Sequence, residues 1–264
     1  MSDTLTAALA ANYVGGEWRP AASGETYEKR SPWRPSEVTG IFASSGAEDA
    51  RAAVEAAAAA APAWAATPAP ARAVVFAKAA AALEARSERM AQDMTAEMGK
   101  PLREARLESG RTAAILRYFA GEAYRPVGEM YEPSVAGQRL FTLRRPVGVV
   151  GLITPWNFPA AIPAWKAAPA LIYGNAVVMK VGYEAPRTGL HLAEAFAEAG
   201  LPAGVFNVLT GAGSKAGAAL VSDPRVRALS FTGSVAGGHS VRDQATARGA
   251  RVQLELGGHN PLIV

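Results

Sequence analysis

The sequence predicts an α/β fold built on a doubly wound parallel sheet, and three observations predict it. Apolar, β-branched runs alternate with helical patterns from Arg139 onward, and two glycine turns close predicted strands and open predicted helices. The 264 residues are 50% hydrophobic and 19% charged, which supplies one large core or two smaller ones. A disordered chain is excluded. The net charge of +4 is mild and dispersed, so no nucleic acid is expected as partner. With no cysteine there is no disulfide framework, no thiolate metal site and no cysteine nucleophile.

Taken in order, Met1 to Asn12 carry Asp3 and no basic start, so they do not read as a secretory signal and a cytoplasmic protein is expected. The N-terminal third reads as helical and alanine-rich. Ser45 followed by Glu48 is a capping-box pattern that opens a helix over Ala47–Ala61, which Pro62 ends. Helical patterns follow over Ala71–Ala85 and Ser87–Met98, the latter stopped by Gly99-Lys100-Pro101, and another helix begins near Leu102. Gly128 to Arg145 reads as a two-stranded arm. The uncharged run Pro146 to Trp165 has 20 residues, but four prolines and Asn157 make it a buried strand, a loop and a helix start rather than a membrane span.

Strands are predicted at Arg139–Arg145, Val147–Ile153, Ala176–Lys180, Val205–Leu209, Ala228–Phe231 and Val252–Leu256. Helices are predicted between them at Ala160–Ile172, Arg187–Ala199, Ser214–Val221 and Ser234–Ala247. This order places a nucleotide at the strand C-termini of a sheet with helices on both faces. The expected domains are an N-terminal helical part over 1–127, the arm over 128–145 and a Rossmann-like unit over 146–264.

The residues that could carry chemistry cluster at strand ends. The turns Gly211-Ala-Gly213-Ser-Lys-Ala-Gly217 and Phe231-Thr-Gly233-Ser234-Val-Ala-Gly-Gly238 let backbone amides approach a pyrophosphate at a helix N-terminus. The plainer alternative is a pair of ordinary strand-to-helix turns with Ser234 as a cap. Asn157, in the loop after the first sheet strand, could donate to a developing oxyanion or simply bond its own backbone. Lys180 could hold a ribose or phosphate, or be a solvated charge. Glu255, flanked by apolar residues, is either a partly desolvated general base or an outward-facing glutamate on a half-buried strand. His191, His239 and His259 lack metal-ligand spacing and read as structural or surface residues, so no metal is expected.

Five ordered motifs then carry a resemblance: Glu97-Met-Gly99-Lys100-Pro101, Pro146-Val-Gly148-Val-Val-Gly151, Thr154-Pro-Trp-Asn-Phe-Pro159, Phe231-Thr-Gly233-Ser234 and Leu254-Glu255-Leu-Gly257-Gly258. Together they resemble the aldehyde dehydrogenase superfamily over nearly the whole chain. The resemblance implies oxidation of an aldehyde to a carboxylic acid with NAD or NADP. Asn157 matches the oxyanion-holding asparagine and Glu255 the base that activates water. Thr154, Pro155, Trp156, Lys180, Gly213, Phe231, Gly233, Ser234, Leu256 and Gly257 match cofactor-binding positions.

In that family a cysteine thiolate attacks the aldehyde, hydride passes to the nicotinamide and water releases the thioester. The cysteine lies a few tens of residues beyond the glutamate in the family, whereas this sequence stops nine residues after Glu255. The expectation is therefore the N-terminal portion of a longer, homo-oligomeric enzyme, inactive by itself. The family pattern is broken in two places: Val181 and Tyr183 follow Lys180 where Pro and then Glu or Ser are usual, with Glu184 displaced by one, and His259 replaces a lysine. The stretch from Leu143 through Trp156 to Tyr173-Gly174-Asn175 looks closest to the 2,5-dioxopentanoate (α-ketoglutaric semialdehyde) branch, with succinate semialdehyde a near neighbour. The alternative is a non-catalytic nucleotide-binding or interaction module.

Overall fold

The computed structural model describes residues 10–263, so most of the Met1 to Asn12 segment lies outside the described residues. Its sheet follows from side chains that alternate between two cores. Along β7 (Val149–Ile153) and β8 (Ala176–Lys180), Val150, Leu152, Val177 and Met179 join one core while Val149, Ile153, Ala176 and Val178 join the other. Burial on both faces explains why these strands read as continuous apolar runs. The first core is completed by α2 (Ala69–Ala85), α3 (Ser87–Met98), α4 (Leu102–Glu122), α5 (Ala161–Ile172) and α6 (Pro186–Glu198). The second is completed by α1 (Ala47–Ala66), α7 (Ala218–Ser222) and α8 (Val235–Ala247).

With β9 (Phe206–Leu209), β10 (Val226–Gly233) and β11 (Arg251–Leu256), the parallel strands lie in the order β11-β10-β7-β8-β9. Two more strands extend the sheet and make it mixed rather than purely parallel: β1 (Asn12–Val14) pairs antiparallel with β9, and β2 (Glu17–Arg19) pairs with β1. A separate hairpin joins β3 (Thr26–Arg30) to β4 (Val38–Ala43). The N-terminal third is thus not purely helical. The β1–β2 turn is Gly15-Gly16, with φ of +65° and +87°, a conformation open to glycine and the hallmark of a two-residue hairpin. That dipeptide was the available signal for the missed hairpin.

Two helix boundaries also differ. Pro62 lies inside α1, which continues to Ala66 because Trp64 is buried and its Nε1 donates to the Leu171 carbonyl at 2.8 Å. That anchorage outweighs the local cost of an interior proline. The cap sits one residue later than Ser45: the Gly46 amide donates to Asp49 Oδ2 at 2.8 Å, while Ser45 Oγ donates to Asn12 Oδ1 at 2.8 Å. The segment Ser214–Val221 begins as a π-helical turn, Gly213–Gly217, before α7. Within 128–145, β5 (Met130–Tyr131) pairs antiparallel with β6 (Leu140–Phe141), a far shorter strand than Arg139–Arg145. No helix among the described residues is long and apolar enough to cross a membrane.

Candidate functional site

The earliest parallel strand, β7, lies in the middle, with β8 and β9 on one side and β10 and β11 on the other. Strand order reverses at that point, and the loops leaving β7 and β10 diverge there to open a crevice at the carboxyl edge. The β7–α5 loop carries Thr154 to Phe158; the β8–α6 loop passes against it at Gly182, where a Cβ would meet the Pro155 carbonyl oxygen at 2.8 Å.

Among the helices that begin along this edge, α5, α6 and α8 have N-termini that the chain treats differently. At α5 the amides of Ala160 and Ala161 donate to Glu108 Oε1 at 3.0 and 3.1 Å. At α6 the amides of Arg187 and Thr188 donate to Glu97 at 2.7 and 2.9 Å, and the Thr188 hydroxyl adds a third bond of 2.8 Å. Complete burial pushes the Glu97 carboxyl up to about 7, against the downward pull of those bonds. At α8 only the Ser234 hydroxyl caps, accepting from the Gly237 amide at 3.2 Å, and Ser234 is solvent-facing. Of these three, the positive end of α8 is the one that no carboxylate of the described chain occupies.

Lys180 is buried, with 5% of its surface exposed, and makes no hydrogen bond or ion pair among the described residues. It is not the solvated strand-end charge of the plainer sequence reading. Burial pulls its ammonium down to about 8, partly opposed by Glu184. Its Nζ lies 4.0 Å from where a Cβ on Gly213 would stand. Nearby in the fold, Thr154 is buried with its hydroxyl lacking any partner among the described residues, while its amide donates to the Lys180 carbonyl at 3.1 Å. An unpaired cation, an unpaired hydroxyl and an open helix N-terminus fit the phosphates and hydroxyls of a dinucleotide.

The remaining predicted residues are distributed around the crevice. Trp156 is exposed beside Asn157, Pro155 is half-buried, and Gly213 and Gly257 are exposed. Phe231, Gly233 and Leu256 are half-buried, and the Phe231 ring fills the space under the turn, 2.7 Å from a hypothetical Gly233 Cβ. Asn157 does bond its own backbone, its Oδ1 accepting from the Phe158 amide at 3.1 Å, which leaves the side-chain NH2 exposed without a partner among the described residues.

Glu255 is exposed, so the partial desolvation expected of it is not a property of this chain. Its neighbours on β10–β11 are polar: Thr232 Oγ1 and Gln253 Nε2 donate to it at 3.3 and 3.1 Å. Lys166 of α5 donates to Ser230 Oγ at 2.7 Å and Gln253 Oε1 at 3.1 Å; burial lowers its ammonium, opposed by Glu255. An open cavity of about 610 Å³ runs along this flank between Trp165, Lys166 and Glu255. By register Glu255 lies level with Thr154, two strands away, roughly 10 Å across the sheet.

His191 is buried behind α3, its Nε2 2.7 Å from Asp93 Oδ2, while His239 and His259 are exposed. Tyr183, at the departure from the family pattern, stacks on Tyr27 with centroids 4.4 Å apart. Sequence reasoning gave Lys100 no role although the motif around it was visible, and nothing local marked Glu108 or Lys166.

The model of the aldehyde dehydrogenase family matches residues 18–264. Alpha-ketoglutaric semialdehyde dehydrogenase of Bacillus subtilis (strain 168) is 45% identical over 253 residues, 96% of this chain and 52% of that protein. Alpha-ketoglutarate semialdehyde dehydrogenase of Haloferax volcanii is 46% identical over the same shares. An E. coli NADP-dependent enzyme of solved structure superposes with a TM-score of 0.93 at 39% identity, covering 98% of this chain and 53% of that one. The chain spans about half the length of the curated relatives it matches.

Proposed function

Because the chain belongs to the aldehyde dehydrogenase family, we propose that it supplies the cofactor half of an enzyme that oxidises a semialdehyde of the 2,5-dioxopentanoate class to its acid. The observation that carries this reading is the convergence, on one sheet edge, of the unpaired Lys180 and Thr154 with Asn157 and Glu255. NAD or NADP, when bound, supplies the hydride acceptor. Lys180, the Thr154 hydroxyl and the amides opening α8 hold its phosphate and ribose groups, with Trp156, Pro155, Phe231, Gly233, Ser234, Gly213, Leu256 and Gly257 shaping the cleft.

The side-chain NH2 of Asn157 donates to the substrate oxygen as negative charge develops there, and Glu255 takes a proton from the attacking water. The nucleophile comes from sequence beyond these 264 residues, which contain no cysteine. Residues 128–145 form an arm toward another subunit, a reading supported by exposure of Met130, Tyr131, Leu140 and Phe141.

The test joins this chain to the C-terminal half of the Bacillus subtilis relative. The joined protein is expected to form acid from α-ketoglutaric semialdehyde with NAD or NADP, and the chain alone to form none. Turnover by the rigorously purified chain alone would sink the proposal, as would a folded, cofactor-binding but inactive joined protein.

A further inference from the structure

The loop that carries Asn157 has little regular hydrogen bonding of its own, yet it is tied down from a distant part of the sequence. Lys100 follows α3 and Glu108 lies on α4, and their side chains form an ion pair with only 8% and 2% exposed. Lys100 Nζ also donates to the Asn157 carbonyl at 2.8 Å and lies 4.1 Å from the centre of the Phe158 ring. Glu108 uses its other oxygen to accept from the Ala160 and Ala161 amides. One ion pair thus grips the loop on both sides of Pro159.

A buried ion pair is a poor way to gain stability, since desolvation offsets much of its attraction and apolar side chains of similar volume serve as well. What an apolar pair cannot do is bind a carbonyl and two amides in a segment that turns from strand to helix. We infer that Lys100 and Glu108 are positioning residues: they hold the Asn157 backbone so that its side-chain NH2 faces the crevice. The use of that NH2 toward substrate rests on the function proposed above; the clamp itself does not. A site of this kind tolerates displacements of well under 1 Å, which accounts for fixing the loop from two helices.

The experiment compares 15N–1H spectra of the 264-residue chain with those of Lys100→Met and Lys100→Arg. The reporters are the Asn157 side-chain amide and the Trp156 indole N–H, with the buried Trp64 indole as a control for the fold. For Lys100→Met the expected result is displaced or broadened Asn157 and Trp156 signals, amide exchange at Ala160 and Ala161 faster by roughly tenfold or more, and an unchanged Trp64. Lys100→Arg, which keeps the charge and donors, should restore the parent positions in part. Unchanged Asn157 and Trp156 signals in a Lys100→Met chain with intact Trp64 would overturn the inference, as would changes spread evenly over the sheet. If Lys100→Met loses the Trp64 signal, Glu108→Gln decides: displaced Asn157 signals support the clamp and parent-like signals refute it. A chain that proves unable to bind NAD or NADP would count against the proposed function and leave these spectra as they are.

Discussion

The two flanks of the sheet are built from the same β–α units but finished to different degrees. β8 is buried along its whole length, whereas β11 alternates exposed and half-buried positions. On the β7–β8 flank the loops are fixed by Glu97, Glu108, Lys100 and Gly182. On the β10–β11 flank Lys166, Ser230, Gln253 and Glu255 face an open cavity. The lesson is that this chain fixes Asn157 and the N-termini of α5 and α6 from within, while Glu255, the proposed base, stands exposed on the sheet border.

The comparison is sharpened most by chemistry in the joined enzyme. Asn157→Ala should slow hydride transfer by roughly 10² to 10³, as loss of other oxyanion donors does. Glu255→Gln should leave that step and stop hydrolysis, because an amide cannot take the proton from water, so stopped-flow absorbance should show one equivalent of reduced cofactor and then a stall. Equal steady-state rates for Glu255→Gln and its parent would remove Glu255 from the mechanism.

Stability should divide along the same line. Met179→Ala, in the doubly buried β8, is expected to cost about 3 kcal/mol, and Leu254→Ala, on the half-buried β11, about 1 kcal/mol, in denaturant titrations of the isolated chain. Similar losses at both positions would break the contrast between flanks.

Lys180 gives a pH test. Its ammonium is lowered to about 8, so the folded chain carries the charge below that pH and loses it above. Affinity of the joined enzyme for NAD or NADP should therefore be full near pH 7 and fall by roughly tenfold toward pH 9.5, the size of one charge-assisted hydrogen bond. Lys180→Met should bind weakly at both pH values, with the slope gone. Smallest is Ser234→Ala, which removes the side-chain cap of α8 and should cost about 0.5 kcal/mol by thermal denaturation. No loss there would mean that the α8 terminus is solvated well enough without it.

The parallel strands and their helices were legible because burial on both faces writes itself as continuous apolar runs such as Ala176–Lys180. The first N-terminal hairpin was less so: Asn12–Val14 and Glu17–Arg19 are only three residues each, the Gly15-Gly16 turn is their one local mark, and β1 takes its place in the sheet from β9, far along the chain. Asn157, Lys180 and Glu255 could be singled out by position at strand ends. Their environments could not: the clamp on Asn157 joins residues 57 apart, and Glu255 stands exposed although apolar residues flank it in sequence.

The small antiparallel pair β1–β2 has a consequence for association. It seals the border of the sheet beside β9, and its outer strand ends in Glu17 and Arg19, paired at 2.8 Å, charges that discourage a foreign strand from adding there. At the opposite border β11 pairs on one side alone, with β10. The two borders thus differ in length as well as in setting: β2 offers a three-residue edge, whereas the six-residue β11 leaves a longer row of backbone groups without a strand partner among the described residues, with Arg251 and Glu255 the charges that stand beside it.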